Sequence, residues 1–507
     1  MSETSISSLV SHLPTAPTQV AVLNPATGKK IYDLPQLTAE QVTSAVAAAR
    51  DYQPIWAKVS VHDRQAILLR LHDLMLADES KLLDLVQLET GKSHAHAFEE
   101  VVGAIAAPGY YGKIAAKTLA RKRSKAGVPV LTKTYVDHVP LGVVGVVTPW
   151  NYPLALTMLD VVPALAAGNT VVQKIDNQTA LTALFARHLA IEAGLDESAW
   201  TIVTGDGEVV GNALVDQVDY VAFTGSTATG RKVAQRAAAR LIGYSLELGG
   251  KNPMIVLEGA NPKRAAEIAI AGAFSSAGQL CVSIERVYVP QSLFEAFSTE
   301  LAKQTSDLQV GRSDDFSHDV GSLGGYVQLQ RVSGYVNDAV AEGAQVLAGG
   351  HALPEVGPYF YAPTVLKNVP ESAKLYRREV FGPVLAVESY ATIDEAIEKA
   401  NDSEYGLNAS VVGPVNAASK VASKLHAGSV NINEAFRASF ASMESPMGGM
   451  KASGHGRRNG PAGLLRFTET RVIGIAGGLM KLPSRASHYK KMAPLMRTMV
   501  KALKLFR

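Results

Sequence analysis

Residues 141–174 read LGVVGVVTPWNYPLALTMLDVVPALAAGNTVVQK and contain two short β-branched runs, Val143–Val147 and Val171–Lys174. Each run predicts a buried strand. The same alternation of strand and helix patterns continues along the chain, at Thr179–Ala193, Trp200–Val203, Tyr220–Phe223 and Ala228–Arg240. Strands that alternate with helices predict an α/β fold with a parallel, doubly wound sheet, and ligands bind at the carboxyl ends of the strands in such sheets.

The chain from about residue 250 onward repeats this pattern and predicts a second α/β domain. A helix is predicted at Ile393–Asn401, and the strand-like runs are Met254–Leu257, Val287–Val289, Val384–Val387, Ala409–Val412 and Ser429–Asn431.

The N-terminal part is predicted to be mostly helical. Thr38–Gln41 is a capping-box pattern that opens an Ala-rich helix to about Arg50, and helical patterns continue to about residue 118. Residues 1–20 are expected to be a loosely attached arm. The basic run Arg121–Lys125 is expected to be a solvated loop, and Val128–Val139 alternates as an exposed strand pair does.

Composition excludes several classes of protein. The 507 residues suffice for two or three domains, and 49 Lys and Arg against 46 Asp and Glu argue against nucleic acid as a partner. A single cysteine excludes a disulfide framework and is typical of the cytoplasm. No apolar run reaches the roughly 18 residues of a membrane span, and no metal-ligand spacing is found.

The C-terminal segment 476–507 is basic and amphipathic. No acidic residue follows Glu469, and an apolar stripe opposite basic side chains is formed by Leu495, Met496, Met499, Val500, Leu503 and Phe506. This pattern predicts a helix. The helix could dock on the protein or on a neighbouring subunit, or residues 492–507 could make weak contact with a membrane surface.

Cys281, the only cysteine, lies in the sequence Ser276-Ala277-Gly278-Gln279-Leu280-Cys281. A lone cysteine is commonly a small buried hydrophobe without reactivity. Here Gly278 leaves little bulk beside the thiol, as an accessible nucleophile requires, and Glu247 in a Leu-Glu-Leu-Gly-Gly turn is a candidate general base.

Two turns that follow predicted strands, and a third compact turn, could hold a ligand. Phe223–Gly230 is rich in glycine and hydroxyls and opens a helix, so its N–H groups could face a phosphate, although a simple tight turn has the same pattern. Thr148–Pro153 offers the Asn151 amide, and Glu379–Pro383 is a third compact turn. Lys174 ends its own strand on the presumed ligand side.

Taken together, these motifs resemble the aldehyde dehydrogenase superfamily over about residues 20–475. The resemblance rests on six motifs in order: Pro149-Trp150-Asn151, Phe223-Thr224-Gly225-Ser226, Glu247–Pro253, Gly278–Cys281, Glu379–Pro383 and Pro446–Gly454. It implies a Rossmann-type cofactor domain over 1–120 and 141–249, an α/β catalytic domain over 250–448, and a small β oligomerisation extension from 121–140 and 449–475. A homodimer or homotetramer is the expected assembly.

The resemblance also implies roles for individual residues. Cys281 would attack an aldehyde, Asn151 would stabilise the oxyanion, and Glu247 would activate the water that hydrolyses the thioester. Residues matching the dinucleotide-binding positions are Thr148, Pro149, Trp150, Lys174, Asp176, Asn177, Gly225, Ser226, Leu248, Glu379 and Phe381.

The subgroup that this chain resembles most is the bacterial NADP-dependent succinate-semialdehyde dehydrogenases. Many NAD-preferring relatives carry Glu where Asn177 stands, so the sequence predicts NADP, with NAD possible because Asp176 restores a carboxylate nearby. An arginine six residues before the nucleophile is replaced by Ser275. Arg437 and Ser442 are therefore the candidates for binding a substrate carboxylate, whereas Tyr152 and Phe274 would favour uncharged aldehydes.

Three interpretations remain open from the sequence. The first is an NADP-dependent semialdehyde dehydrogenase, and the second is a broad-range dehydrogenase for uncharged aliphatic or aromatic aldehydes. The third is a non-catalytic binding protein on the same fold, which the presence of Cys281, Glu247 and Asn151 disfavours. A CoA-acylating enzyme is conceivable, although Glu247 favours water as the acceptor.

Overall fold

The computed structural model describes residues 3–125, 132–476 and 483–504. Within these ranges the strands form a two-stranded, a six-stranded, a seven-stranded and a three-stranded sheet. No helix in the same ranges has the length and apolar character needed to cross a bilayer.

The six-stranded sheet is the first of the two large layers. Its strand order is Gly454–His455, Gly243–Glu247, Tyr220–Thr224, Val143–Val147, Thr170–Lys174 and Trp200–Val203, and all pairs are parallel except that of Gly454–His455. The helices that follow its strands are Pro153–Ala166, Ala180–Glu192, Asn212–Val215 and Thr227–Ala239. The parallel, doubly wound sheet predicted from residues 141–240 is confirmed.

The seven-stranded sheet holds the strands predicted after residue 250. Its order is Gln345–Ala348, Thr364–Lys367, Val384–Tyr390, Ile284–Pro290, Asn252–Val256, Asn408–Val412 and Ser429–Ile432. Its helices include Ile393–Asn401, as predicted, together with Pro262–Phe274, Phe294–Ser306, Tyr326–Ala341, Lys374–Arg377, Val415–Ala422 and Arg437–Phe440. A second α/β unit is therefore confirmed, whereas the role assigned to each unit stays a prediction.

The N-terminal part is helical, as predicted, and one expectation about it is wrong. The helices Ala39–Trp56, Val61–Ala77, Glu79–Thr90 and His94–Leu119 follow a strand pair, Thr18–Leu23 with Lys30–Gln36. Thr38 and Gln41 form the predicted capping box. Residues 1–20, however, are not a loose arm: Glu3–Val10 is a helix, and Ile6, Leu9 and Leu13 are buried in the main core because their apolar side chains pack against it.

The three-stranded sheet corrects two further expectations. Lys122–Ser124 is a strand paired with Thr132–Pro140, so the basic run 121–125 is not simply a loop. Thr132–Pro140 also pairs along its whole length with Thr468–Ala476. The first residues of the predicted strand pair Val128–Val139 lie outside the described residues. Within 449–475, Gly454–His455 pairs with Glu247 and Leu246 of the six-stranded sheet, so this part does not belong to the small sheet.

The C-terminal helix runs from Ala486 to Leu503. Most of its described side chains are exposed, including the apolar Tyr489, Leu495, Met496 and Val500. The helix therefore presents a largely uncovered apolar face.

Candidate active site

The segment before Cys281 is a strained turn that follows the helix Pro262–Phe274. Ser276, Ala277 and Gly278 all have positive φ angles, of 51°, 54° and 70°. A Cβ atom on Gly278 would lie 2.0 Å from the carbonyl oxygen of Gly382, so glycine is required by a close backbone approach and not only by access to the thiol. Asn252 donates to the carbonyl oxygen of Cys281 at 2.8 Å and fixes the end of the turn.

Cys281 opens onto a cavity of about 170 Å³ between the two large sheets. The predicted residues on its wall are Pro149, Trp150, Asn151, Tyr152, Gly225, Ser226, Glu247, Leu248, Cys281, Glu379 and Phe381. The structure therefore brings the thiol, the candidate base and the candidate oxyanion donor to one cavity, although Asn151 and Cys281 are 130 residues apart in the chain.

Glu247 is buried, and neither carboxylate oxygen has a hydrogen-bond partner among the described residues. Burial raises the pKa of Glu247 to about 7, while the nearby Arg458 and Arg466 oppose that rise. A carboxylate that titrates near neutral pH and has free lone pairs is suited to accept a proton from water.

The Cys281 thiol is half-buried and lies near acidic side chains. Burial first, and then the carboxyl groups of Glu247 and Glu379, raise the pKa of Cys281 to about 12, whereas Arg458 lowers it. In this form the sulfur is a neutral thiol at pH 7, so attack requires a base or an added positive charge. Asn151 donates one amide hydrogen to the carbonyl oxygen of Gln279 at 2.8 Å, which leaves its second N–H for a ligand in the cavity.

A larger cleft of about 850 Å³ adjoins this cavity along the carboxyl ends of the strands. Of the predicted dinucleotide residues it is lined by Thr148, Pro149, Trp150, Lys174, Asp176, Gly225 and Ser226. The helix Thr227–Ala239 begins here, with Ser226 as its N-cap. The free N–H groups of a helix N-terminus attract phosphate, so the cleft fits a dinucleotide.

Asn177 does not point into that cleft, contrary to the argument from sequence. Its amide donates to Gln36 at 3.0 Å, and its side-chain oxygen accepts from the N–H of Gly205 at 3.1 Å. Asn177 thereby fixes the backbone that leads into Asp206 on the cleft wall. Further charged residues on that wall, which sequence reasoning missed, are Asp206, Glu208, Lys232 and Arg236.

The turn that carries Glu379 and Phe381 is held by a buried carboxylate that the sequence did not reveal. Glu285 accepts from the N–H groups of Val380 and Phe381, each at 3.0 Å, and from Lys251 at 2.6 Å. Phe381 meets Trp150 edge to face at 5.9 Å between ring centroids. A glutamate within the apolar strand Ile284–Pro290 was the available signal, because a buried charge requires partners.

The four substrate candidates are placed very differently. Tyr152 lines the cavity, and its hydroxyl bonds Ser276 at 2.7 Å. Phe274 is buried in the core and is not on the cavity wall. Arg437 bonds Glu99 at 2.6 Å and Ser275 at 3.1 Å, behind the wall. Ser442 is half-buried and bonds Ser445. The wall residues that were missed include Leu156, Leu159, Leu280, Gln328, Arg331, Phe440, Met447 and Arg458.

These features define a class of enzyme: a parallel sheet with a cleft at a helix N-terminus, which adjoins a cavity that holds a half-buried cysteine and a buried glutamate. Comparison with known proteins agrees, since the model described as the aldehyde dehydrogenase family matches residues 13–473. The chain belongs to the aldehyde dehydrogenase family.

Three relatives illustrate the similarity. A Mycobacterium tuberculosis protein named "Putative succinate-semialdehyde dehydrogenase (NADP+) 2" is 47% identical over 451 residues, which are 89% of this chain and 87% of the relative. A Mycolicibacterium smegmatis protein has the same name without the numeral. It is 46% identical to this chain over 94% of this chain and 93% of the relative. The crystal structure of an E. coli NADP-dependent enzyme superposes with a TM-score of 0.87 and 33% identity, covering 91% of this chain and 96% of the other.

Proposed function

We propose that this enzyme oxidises an aldehyde to a carboxylic acid with NADP, through a thiohemiacetal and then a thioester on Cys281. The proposal is supported mainly by one observation: Cys281, Glu247 and Asn151 line a single cavity, which continues into the larger cleft beside the six-stranded sheet. A non-catalytic binding protein would have no use for an unpaired buried carboxylate beside a thiol, because both groups cost free energy of folding.

The residues divide the chemistry between them. The Cys281 thiol gives its proton to Glu247, which releases it to solvent, and the sulfur bonds to the aldehyde carbon. The Asn151 amide together with the Cys281 N–H stabilises the oxyanion; one such donor lowers a barrier by about 3 kcal/mol. The dinucleotide, when bound, accepts the hydride. Glu247 then takes a proton from the water that attacks the thioester, which its pKa of about 7 permits at neutral pH.

We assign the cofactor to the six-stranded sheet. Lys174, Gly225 and Ser226 would hold the adenosine and pyrophosphate part, and Glu379 the nicotinamide ribose, with Phe381 beside the ring. The preference for NADP is supported by the names of the relatives and by Lys174, Lys232 and Arg236 on the cleft wall, which can pair with a phosphate. Asp176, Asp206 and Glu208 oppose it, so kcat/KM for NADP and NAD must be compared directly. A strong preference for NAD would overturn the assignment.

Succinate semialdehyde is the substrate that we propose first, because two relatives of 46–47% identity are named for it. Its carboxylate needs a cation. Arg437 is the candidate, since its guanidinium reaches Ser275, whose neighbour Ser276 bonds Tyr152 on the cavity wall. Binding would require the substrate carboxylate to replace Glu99, which lies 2.6 Å from Arg437.

An uncharged aldehyde is the second candidate, and the cavity wall favours it. Leu156, Leu159, Phe440 and Met447 give that wall an apolar surface, on which an unpaired carboxylate would be costly. The deciding experiment measures kcat/KM for succinate semialdehyde, a medium-chain aldehyde and an aromatic aldehyde with both cofactors. The first proposal predicts the highest value for succinate semialdehyde with NADP; a higher value for the uncharged aldehydes would replace it with the second.

We also propose a cytoplasmic homodimer or homotetramer in which the sheet of Lys122–Ser124, Thr132–Pro140 and Thr468–Ala476 contributes to the subunit interface.

Residues 492–507 are proposed to make weak contact with an anionic membrane surface, because the helix Ala486–Leu503 combines exposed apolar and basic side chains. Vesicles of phosphatidylserine should retain the full chain more than a chain that ends at Ala476. Equal retention would dismiss the membrane contact.

A further inference from the structure

A buried group of three charges lies beside Glu247, and the mechanism above does not use it. Asp160, on the helix Pro153–Ala166, accepts two hydrogen bonds from Arg458, at 2.9 Å from Nε and 2.5 Å from Nη2. Its other partner is Arg466, which bonds the same carboxylate. Asp160 is 0% exposed and Arg458 2%. The Arg458–Asp160–Arg466 triad therefore has two positive charges and one negative charge in the protein interior.

The backbone places this triad against the catalytic carboxylate. Gly454–His455 pairs with Glu247 and Leu246, which brings the following residues to the edge of the cavity. Arg458 also donates to the hydroxyl of Thr224, and Thr224 is the strand partner of Glu247. Arg458 and Glu247 both lie on the cavity wall.

The Arg458–Asp160–Arg466 triad carries one positive charge more than neutrality requires. A buried ion pair is neutral when one arginine meets one aspartate, and a third buried charge raises the cost of desolvation. The surplus positive charge faces the two groups that must become anionic in the reaction, Glu247 and Cys281. Arginine stays protonated throughout the pH range of an enzyme, so it can stabilise an anion but cannot relay a proton.

We propose that the Arg458–Asp160–Arg466 triad is a fixed positive charge that favours the ionised forms of Glu247 and Cys281, with Arg458 as the positioning residue. The proposal rests on the proposed function, in which Glu247 and Cys281 must become anionic. The alkylation test of the proposal does not depend on that function. The charges that act on Glu247 are those of Arg458, Arg466, Asp160 and, least, Arg457, and the charges that act on Cys281 are those of Glu247, Glu379 and Arg458. Of the cations near Glu247 and Cys281, Arg458 has the largest electrostatic effect on each.

Two substitutions should act in opposite directions. Arg458→Met removes one positive charge, and Asp160→Asn removes the one negative charge. For charges about 10 Å apart at an effective dielectric constant near 20, Coulomb's law gives a change of roughly one pKa unit. We expect iodoacetamide to alkylate Cys281 about tenfold more slowly in Arg458→Met and about tenfold faster in Asp160→Asn, at a fixed pH of 8 without aldehyde or dinucleotide.

Two controls separate charge from structure. Arg458→Lys keeps the charge and should stay within about threefold of the wild-type rate. Arg457→Met removes the neighbouring, half-buried arginine, whose guanidinium bonds backbone carbonyls among the described residues. Its charge acts on Glu247 but is not among the main influences on Cys281, so the alkylation rate should stay nearly unchanged. Circular dichroism establishes which variants are folded, and Asp160→Asn decides the matter if Arg458→Met does not fold.

The pH profile of thioester hydrolysis is the second readout. Its acidic limb, set by Glu247, should move up by about one pH unit in Arg458→Met and down in Asp160→Asn. Shifts in the same direction, or no shift in folded variants, would overturn the proposal. Because alkylation needs no substrate, a failure of the proposed function would appear separately, as no oxidation of any aldehyde by the wild-type chain.

Discussion

Gly278→Ala tests the connection between the turn at Cys281 and the turn that carries Phe381. Gly278 has a φ of +70°, and its new Cβ would lie 2.0 Å from the carbonyl oxygen and 2.3 Å from the carbonyl carbon of Gly382. A left-handed conformation costs a non-glycine residue about 1–2 kcal/mol. Relief of the close contact requires a backbone shift of roughly 1 Å, and overpacking of this kind costs about 1–3 kcal/mol.

The expected loss is therefore about 2–5 kcal/mol of unfolding free energy. The shift would separate the Cys281 turn from the Glu379–Pro383 turn, and a displacement of about 1 Å at a catalytic group lowers kcat on the order of 100-fold. Urea unfolding and steady-state kinetics measure the two effects. Gly343→Ala is the matched control, because Gly343 also has a positive φ, of +111°, but no atom within 4 Å of the new Cβ.

The reasoning would be refuted if Gly278→Ala and Gly343→Ala unfolded at the same urea concentration and kept wild-type kcat. The control should lose only the conformational cost of about 1–2 kcal/mol. An equally large loss of unfolding free energy in both variants would show that the positive φ angle alone, and not the approach to Gly382, accounts for the effect of Gly278→Ala.

Three further predictions concern the ligands and the pH. Arg437→Met should raise KM for succinate semialdehyde at least tenfold relative to butanal, since a charged hydrogen bond contributes about 1.5–3 kcal/mol; equal changes would favour uncharged substrates. Lys174→Met should raise KM for NADP more than KM for NAD, and the reverse order would remove Lys174 from phosphate binding. Because burial raises the pKa of Glu247 to about 7, the folded protein binds more protons there than the unfolded chain does. Stability should therefore fall as pH rises from 5 to 8, less steeply in Glu247→Gln, and identical slopes would contradict the raised pKa.

The strands and helices of the two large sheets could be predicted because their patterns are local. Ile393–Asn401 begins and ends at the predicted residues, and the five strands predicted after residue 250 lie within three residues of their predicted bounds, whereas Gln345–Ala348 and Thr364–Lys367 were missed. Such strands are buried on both faces, so an uninterrupted β-branched run is sufficient to locate them. The N-terminal helix was missed because its polar Ser and Thr residues obscure the two apolar side chains, Ile6 and Leu9, that anchor it to the core.

The site could be predicted only in part, for a physical reason. Motifs identify groups that must have one chemistry at one position, such as Cys281 and Glu247. They do not show which way a side chain points, so Asn177 was expected in the cleft although its amide bonds Gln36. Partners far apart in sequence were also missed: Arg458 and Asp160 are 298 residues apart, and they meet only because Gly454–His455 joins the six-stranded sheet.

The central claim is that Cys281 becomes acylated and that Glu247 releases the product. The most direct measurement mixes Glu247→Gln with aldehyde and NADP in a stopped-flow instrument and weighs the quenched protein by mass spectrometry. We predict a burst of one reduced cofactor per subunit, followed by slow turnover, with an acyl group on Cys281. Steady turnover at the wild-type rate, with no burst and an unmodified Cys281, would contradict it.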